Sequence, residues 1–210
     1  MKIVLRILLV GAILLLVYMC FRSIMGPIEF DKEREFRESA IQARLIDIRK
    51  AQIEYKNVHG VHAANFEELG KFLKEKKLPF LIKEGSLTDE QLEKGMTEKE
   101  AVKRGLIRRD TLWVLAKDTL FGVHYNVDSM AIVPVKNVNA RFLMDTATIP
   151  SSSGYTVKVF ECGVKYDIYL RDLDAQLLIN LKDKAIKMSR FDGLRVGSVT
   201  EINNNAGNWE

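Results

Sequence analysis

The sequence predicts an α+β fold in which an N-terminal transmembrane helix continues into a long amphipathic helix that packs on an antiparallel sheet. Three observations lead to this prediction. Residues 3–21 carry a single charge, and residues 28–58 contain neither glycine nor proline. Beyond residue 110, β-branched and aromatic runs alternate with turn residues. We therefore predict a transmembrane anchor over 1–25, an amphipathic helix over 26–60 and an α+β globular domain over 61–210.

Composition favours a folded protein and argues against a nucleic-acid partner. Of the 210 residues, 47% are hydrophobic, which is enough to bury a core. The net charge is +4, but three of the 32 basic residues flank the apolar N-terminus. The chain from residue 23 onward is therefore nearly neutral. Such a domain lacks the basic face that phosphate-backbone binding requires.

The apolar N-terminus predicts a membrane anchor. After Arg6, residues 7–21 contain no ionised side chain, and at about 1.5 Å per residue they span roughly 22 Å of hydrocarbon. Residues 3–5 and a snorkelling Arg6 supply the remaining thickness. The anchor residues that we single out are Ile7, Leu8, Leu14, Leu15, Leu16 and Val17.

Two alternatives compete with a retained anchor. A cleaved signal peptide favours small residues at its cleavage site, and residues 21–25 read Phe-Arg-Ser-Ile-Met. A lipoprotein would be acylated at Cys20, but bulky residues precede it. We expect the span to be retained. Basic residues flank the span on both sides, so the distribution of Lys and Arg does not indicate its orientation in the membrane.

The helix beyond the span carries an apolar stripe. Its members recur at helical spacing, so they predict one face packed against a core, with alternating charges on the wet side. Glu33 and Arg37 form a favourable i,i+4 pair there. The predicted stripe is Ile41, Leu45, Ile48 and Tyr55.

Capping patterns and strand propensities predict the helices and strands of the remaining chain. Capping boxes at Thr88 and Thr97 predict a helical insertion near 86–105. Strands are predicted over 111–117, 130–135, 140–146, 155–161 and 164–170, with the last two forming a hairpin across Cys162-Gly163. A helix is predicted from Leu173.

The asparagine-rich C-terminus ends in a tryptophan. The simplest interpretation is a loop whose Trp209 covers the domain core. Because tryptophan often anchors interfaces, Trp209 is also our candidate for partner docking.

No catalytic or metal-binding motif is present in the sequence. His59 and His62 lack a third ligand nearby, and His124 has no nucleophile-elbow context. Glycines form no phosphate-binding loop. We therefore predict no catalytic residue, no metal site, no cofactor and no small-molecule substrate.

The N-terminal third resembles type IV pilins and the pseudopilins of type II secretion. The resemblance covers about residues 1–73 and lies in a membrane helix that continues past Pro27 into an amphipathic half, followed by a short helix. A prepilin processing site and the early glutamate of those families are absent. The residues that carry it are Ala43, Arg49, Ala51, Gln52, Tyr55, Gly60 and Phe66-Glu67-Glu68-Leu69.

This resemblance implies a pilin-like fold and a function. We expect a non-enzymatic structural or assembly protein of a bacterial cell envelope or secretion-type complex. It would be a single-pass protein of the bacterial inner membrane with its C-terminal domain in the periplasm, contacting other envelope proteins and itself. The alternative is an extracytoplasmic binding module or accessory subunit of a larger membrane complex.

Overall fold

The computed structural model describes residues 2–84, 95, 97–106, 108–151 and 154–210. Its contacts divide the chain into two compact units, one made of Met1–Ala64 with Met130–Glu210 and the other of Asn65–Ser129. Of the predicted domain over 61–210, residues 65–129 form the second unit and residues 61–64 and 130–210 belong to the first. The helices are α1 (Lys2–His59), α2 (Phe66–Glu75), α3 (Glu98–Lys103), α4 (Ala116–Phe121), α5 (Tyr166–Tyr169) and α6 (Ala175–Lys187). The strands are β1 (Lys77–Glu84), β2 (Arg108–Leu115), β3 (Leu143–Pro150), β4 (Thr156–Lys165) and β5 (Gly193–Gly197).

The long helix α1 runs without interruption for 58 residues and includes Pro27. Proline removes one helical hydrogen bond and crowds the preceding turn, but the helix continues on both sides of it. It ends at Gly60, whose φ of 72° suits a residue without a Cβ and whose N–H donates to the Lys56 carbonyl at 2.7 Å. The predicted continuity of the apolar and amphipathic halves is confirmed.

In the first unit, α1 packs on an antiparallel sheet of order β3-β4-β5. The helix contacts β5 and β4, and buried side chains come from both layers. Helix α6 is capped by Asp174, whose carboxylate accepts the backbone N–H groups of Gln176 and Leu177, each at 3.0 Å. The α+β class with an antiparallel sheet is therefore confirmed.

The hairpin predicted across Cys162-Gly163 is wrong. Strand β4 runs straight through both residues, and residues 166–169 form the short helix α5 instead of a second strand. Gly163 serves a close approach between strands, since an added Cβ would lie 2.8 Å from the Cβ of Arg195 in β5. Glycine within a strand pattern was therefore mistaken for a turn.

Other strand predictions shifted or failed. Residues 130–135 contribute only an isolated bridge between Ile132 and Arg141, consistent with Pro134 limiting ladder formation. The strand predicted over 111–117 begins earlier and ends at Leu115. The strand predicted over 140–146 starts at Leu143. Strands β1 and β5 were not predicted. The apolar run of β1 contains Pro79, and β5 has only two apolar side chains between its two glycines.

The second unit consists of α2, the antiparallel pair β1 and β2, α3, α4 and a 3₁₀ turn over Val127–Ser129. Helix α2 buries Leu69, Phe72 and Leu73. The capping box at Thr97 is confirmed, with the Glu100 N–H donating to the Thr97 hydroxyl at 3.4 Å. The other half of the predicted insertion, including Thr88, lies outside the described residues.

Gln52 fixes the loop that follows α1. Its side chain is fully buried, accepts the Ala63 N–H at 2.9 Å and donates to the Ala63 carbonyl at 3.0 Å. The side-chain amide of Gln52 thereby satisfies both backbone polar groups of the buried Ala63. The loop is thus held to the helix by a pair of hydrogen bonds.

Replacing Gln52 with leucine should lower the free energy of unfolding by about 2 kcal/mol, because two buried backbone groups would lose their partners. Urea unfolding of the detergent-solubilised protein, followed by tryptophan fluorescence, measures this. Gln42→Leu is the matched control, since no hydrogen bond of the Gln42 side chain is found among the described residues. Equal losses in the two variants would contradict the role given to Gln52.

Candidate functional site

The anchor residues lie on the N-terminal part of α1 and are all exposed. Every apolar side chain described between Ile3 and Ile24 leaves at least half of its surface uncovered, on all sides of the helix. Among the described residues, α1 is the one helix long and apolar enough to cross a membrane. Such a surface is stable in hydrocarbon and not in water. The anchor set is Ile7, Leu8, Leu14, Leu15, Leu16 and Val17.

The predicted stripe occupies the second half of α1. Ile41, Leu45 and Ile48 are fully buried, together with Ala51, whereas Tyr55 is only half-buried and stacks on His59. The stripe therefore reaches the core through its first three members. Tyr55 lies near the C-terminal end of the helix, which closes at His59.

A buried arginine connects α1 to the segment that precedes α6. Arg37 pairs in a bidentate manner with Asp172, at 2.6 and 2.8 Å, and also donates to the Tyr169 carbonyl at 2.6 Å. The predicted partner Glu33 accepts from its Nε at 2.8 Å. These hydrogen bonds raise the pKa of Arg37 and lower the pKa of Asp172. The guanidinium stays charged and ties two distant parts of the chain together.

Next to this cluster, Glu38 and Tyr169 share a hydrogen bond of 3.1 Å. Burial raises the pKa of Glu38, and Arg34 opposes that shift. Burial also raises the pKa of Tyr169, with the Glu38 charge adding to it. Glu38 thus lies on the side of α1 that faces the rest of the first unit. The alternating charges of the sequence had indicated a solvent-exposed face for the charged residues of this helix.

A cavity of about 270 Å³ opens beside Glu38. Its walls come from Arg34 and Glu38 of α1, from α6, and from Trp209 of the C-terminal tail. Trp209 is half-buried, and its ring packs on Gly207. A Cβ added to Gly207 would lie 2.5 Å from the nearest ring atom of Trp209. The side chain singled out for partner docking therefore packs on its own domain and leaves part of the ring exposed.

The C-terminal tail continues the sheet beyond β5. The Asn208 N–H donates to the Arg195 carbonyl and the Asn208 side-chain oxygen accepts the Arg195 N–H, both at 3.0 Å. Arg49 of α1 pairs with Glu210 at 2.6 Å. These contacts cover the outer edge of β5, as native sheets require of an edge strand.

The described residues bring together no set of three or more His, Cys, Asp or Glu side chains suited to a metal ion. Burial raises the pKa of Cys162, so its thiol is not a nucleophile at neutral pH. His59 is exposed, whereas His62 is buried against Phe160, with ring centroids 4.8 Å apart. The two histidines that the sequence places three residues apart thus have separate environments.

His62 predicts a pH dependence of stability. Burial, aided by the charge of Lys56, lowers the pKa of His62 to about 4 from its ordinary value of 6.5, and neither ring nitrogen has a hydrogen-bond partner. Below pH 6.5 the unfolded chain therefore binds a proton at His62, whereas the folded chain binds it only near pH 4. The stability is fully present above pH 6.5 and is lost as the pH falls towards 4, by at most about 3 kcal/mol.

Urea unfolding at pH 7, 6, 5 and 4 tests this expectation by comparing the protein with its His62→Leu variant. The protein should lose up to about 3 kcal/mol of unfolding free energy relative to the His62→Leu variant as the pH falls from 7 to 4. His59→Gln is the control and should keep the pH profile of the unchanged protein. Parallel profiles for the unchanged protein and His62→Leu would show that His62 is not the titrating group.

Sequence reasoning missed two buried polar residues of α1, Arg37 and Gln52. Both fall on the helical spacing of the predicted stripe, since Arg37 stands four residues before Ile41 and Gln52 four residues after Ile48. This spacing was the available signal. Their polarity caused them to be placed outside the core.

The arrangement supports packing and binding, because the described residues combine an exposed apolar helix, a buried ion-pair cluster and a mixed cavity without an activated nucleophile. No protein-family model, curated protein sequence or solved structure matches this chain.

Proposed function

We propose that this protein is a membrane-anchored, non-enzymatic structural or assembly component of a bacterial cell envelope or secretion-type complex, similar to a pseudopilin. Its first helix would cross the inner membrane once and hold the C-terminal domain in the periplasm. The domain would act by contacting other envelope proteins and further copies of the chain.

One observation carries this proposal. The same uninterrupted helix is fully exposed and apolar in its first part and is the buried spine of an antiparallel-sheet domain in its second part. A flexible tether would suffice to concentrate a domain at a membrane. A continuous helix instead fixes the domain to the membrane segment, as an ordered assembly requires.

Cysteine crosslinking in native membranes tests the proposal. In a Cys20→Ser background, a cysteine at Leu15 samples the membrane-spanning half, and the buried Cys162 is protected from reagents. We expect oxidation to trap homodimers through residue 15. A cysteine at Tyr155, which is 76% exposed on the domain, is the matched control and should trap fewer homodimers. Labelling of that second cysteine from the periplasm, and not from the cytoplasm, would support the proposed orientation.

The second candidate is an extracytoplasmic binding module or accessory subunit of a larger membrane complex. The cavity beside Trp209 favours it, because charged and aromatic side chains meet there in one recess. In that case residue 15 would form no homodimers, and crosslinks would join the chain to a different protein identified by mass spectrometry. That result would contradict self-assembly.

A further inference from the structure

We infer that a cleft at the base of the first unit holds one phospholipid with a zwitterionic, primary ammonium headgroup, an inference that rests on the proposed membrane anchoring. The cleft has a volume of about 930 Å³ and lies between one face of α1 and the start of α6. Its lining begins at Tyr18 and Phe21 and ends at Phe36, with Leu173 and Asp174 opposite. One wall of the cleft is therefore the proposed membrane span itself.

The position of the cleft decides what fills it. Met25 and Gly26, the first residues of α1 that are partly covered, follow Phe21 by four and five residues, which is about 6 Å along the helix. The polar layer of a bilayer is about 5 to 8 Å thick on each side of the hydrocarbon. The base of the domain thus meets the headgroup layer, and the lower part of the cleft, beside Tyr18 and Phe21, faces acyl chains. A lipid can occupy both parts at once.

The charged side chains that line the cleft determine which headgroup is complementary to it. Arg22, Glu29 and Lys32 line it, and none of the three pairs with another described side chain. Asp174 adds a second carboxylate and Glu33 a third, because Arg37, which pairs with Glu33 at 2.8 Å, is also paired with Asp172. The lining therefore holds two cations and three carboxylates, which favours a headgroup that carries a cation of its own.

A phosphate next to Arg22 and an ammonium group next to Glu29 satisfy this arrangement. Arg22 stands nearest the hydrocarbon, where a lipid phosphate lies, and Glu29 stands about 10 Å further out on the same side of the helix. A choline headgroup has no N–H to donate to a carboxylate. An anionic headgroup would bring a second negative charge towards Glu29 and Asp174.

Lipid retention tests the site. The full-length protein is reconstituted into nanodiscs with equal parts of phosphatidylethanolamine, phosphatidylcholine and phosphatidylglycerol of matched acyl chains. It is then released into detergent, and native mass spectrometry counts the lipids that stay bound. We expect one retained phosphatidylethanolamine per chain, at about two- to fivefold the level of either competitor, the range set by partly exposed ion pairs. Equal retention of the three lipids would overturn the inference.

Variants separate the two ends of the headgroup. Glu29→Gln should abolish the preference for the ethanolamine lipid, whereas Arg22→Gln should lower retention of all three lipids, because all three carry the phosphate. Glu35→Gln, an exposed carboxylate that does not line the cleft, should change neither. A preference that survives Glu29→Gln would assign the selectivity to another place and reject the site.

Carbonate extraction of native membranes distinguishes failure of this site from failure of the anchoring. Protein that is released into the supernatant would contradict the proposed function itself. Protein that stays in the membrane but shows no headgroup preference would reject the lipid site alone.

Discussion

Replacing Leu45 with aspartate should lower the free energy of unfolding by about 4 kcal/mol. Leu45 is fully buried at the centre of the stripe by which α1 packs on the sheet, so the new carboxylate would be desolvated without a partner. Urea unfolding of the detergent-solubilised protein measures the loss. A Trp113→Phe background leaves Trp209 as the reporter of the first unit.

Ile53→Asp is the control for this prediction, because Ile53 lies on the same helix and is 40% exposed. Its carboxylate can remain hydrated, so we expect a loss of less than about 1 kcal/mol. Small and equal losses would mean that α1 is a free stalk. The proposed pseudopilin-like function would then lack its basis, and the binding module would be favoured.

Replacing Gly197 with alanine should cost about 4 kcal/mol. Gly197 has a φ of 72°, which an L residue adopts at a cost of about 1 to 2 kcal/mol. In addition, a Cβ would lie 2.1 Å from the Phe160 carbonyl oxygen, so the backbone of β4 or β5 would have to move. The change therefore combines strain with overpacking at the point where the tail joins β5.

Gly60→Ala is matched to this change, since Gly60 has the same φ of 72° and no atom within 4 Å of an added Cβ. It should cost only the conformational part, about 1 to 2 kcal/mol. The same unfolding measurement compares the two variants. If Gly60→Ala were as damaging as Gly197→Ala, the close approach of β5 to β4 would not be the cause.

Periodic segments could be predicted from the sequence, and positions decided by long-range pairing could not. The spacing of Ile41, Leu45 and Ile48 indicated a helix face that is now seen buried. Gly163, by contrast, looks like a turn residue until Arg195 is placed beside it, 32 residues further along the chain. Strand β5 consists of Gly-Leu-Arg-Val-Gly and has little intrinsic strand signal.

The polar parts of the candidate site were the hardest to foresee. A charged residue such as Arg37 is normally solvated, and its burial depends on Asp172 and the Tyr169 carbonyl, which only the folded chain brings near it. The tail likewise gains its place through Asn208 and Arg195, a pairing that no local pattern predicts.

Because the helix is uninterrupted, the number of residues between its apolar part and the domain sets the direction in which the domain faces. Each residue of an α-helix advances the chain by about 1.5 Å and turns it by about 100°. Inserting one alanine between Phe21 and Pro27 would therefore move the domain by one such step along α1 and rotate it by more than a quarter turn about the axis of that helix. The directions in which the surfaces of the domain point are therefore fixed relative to the exposed apolar part of the same helix.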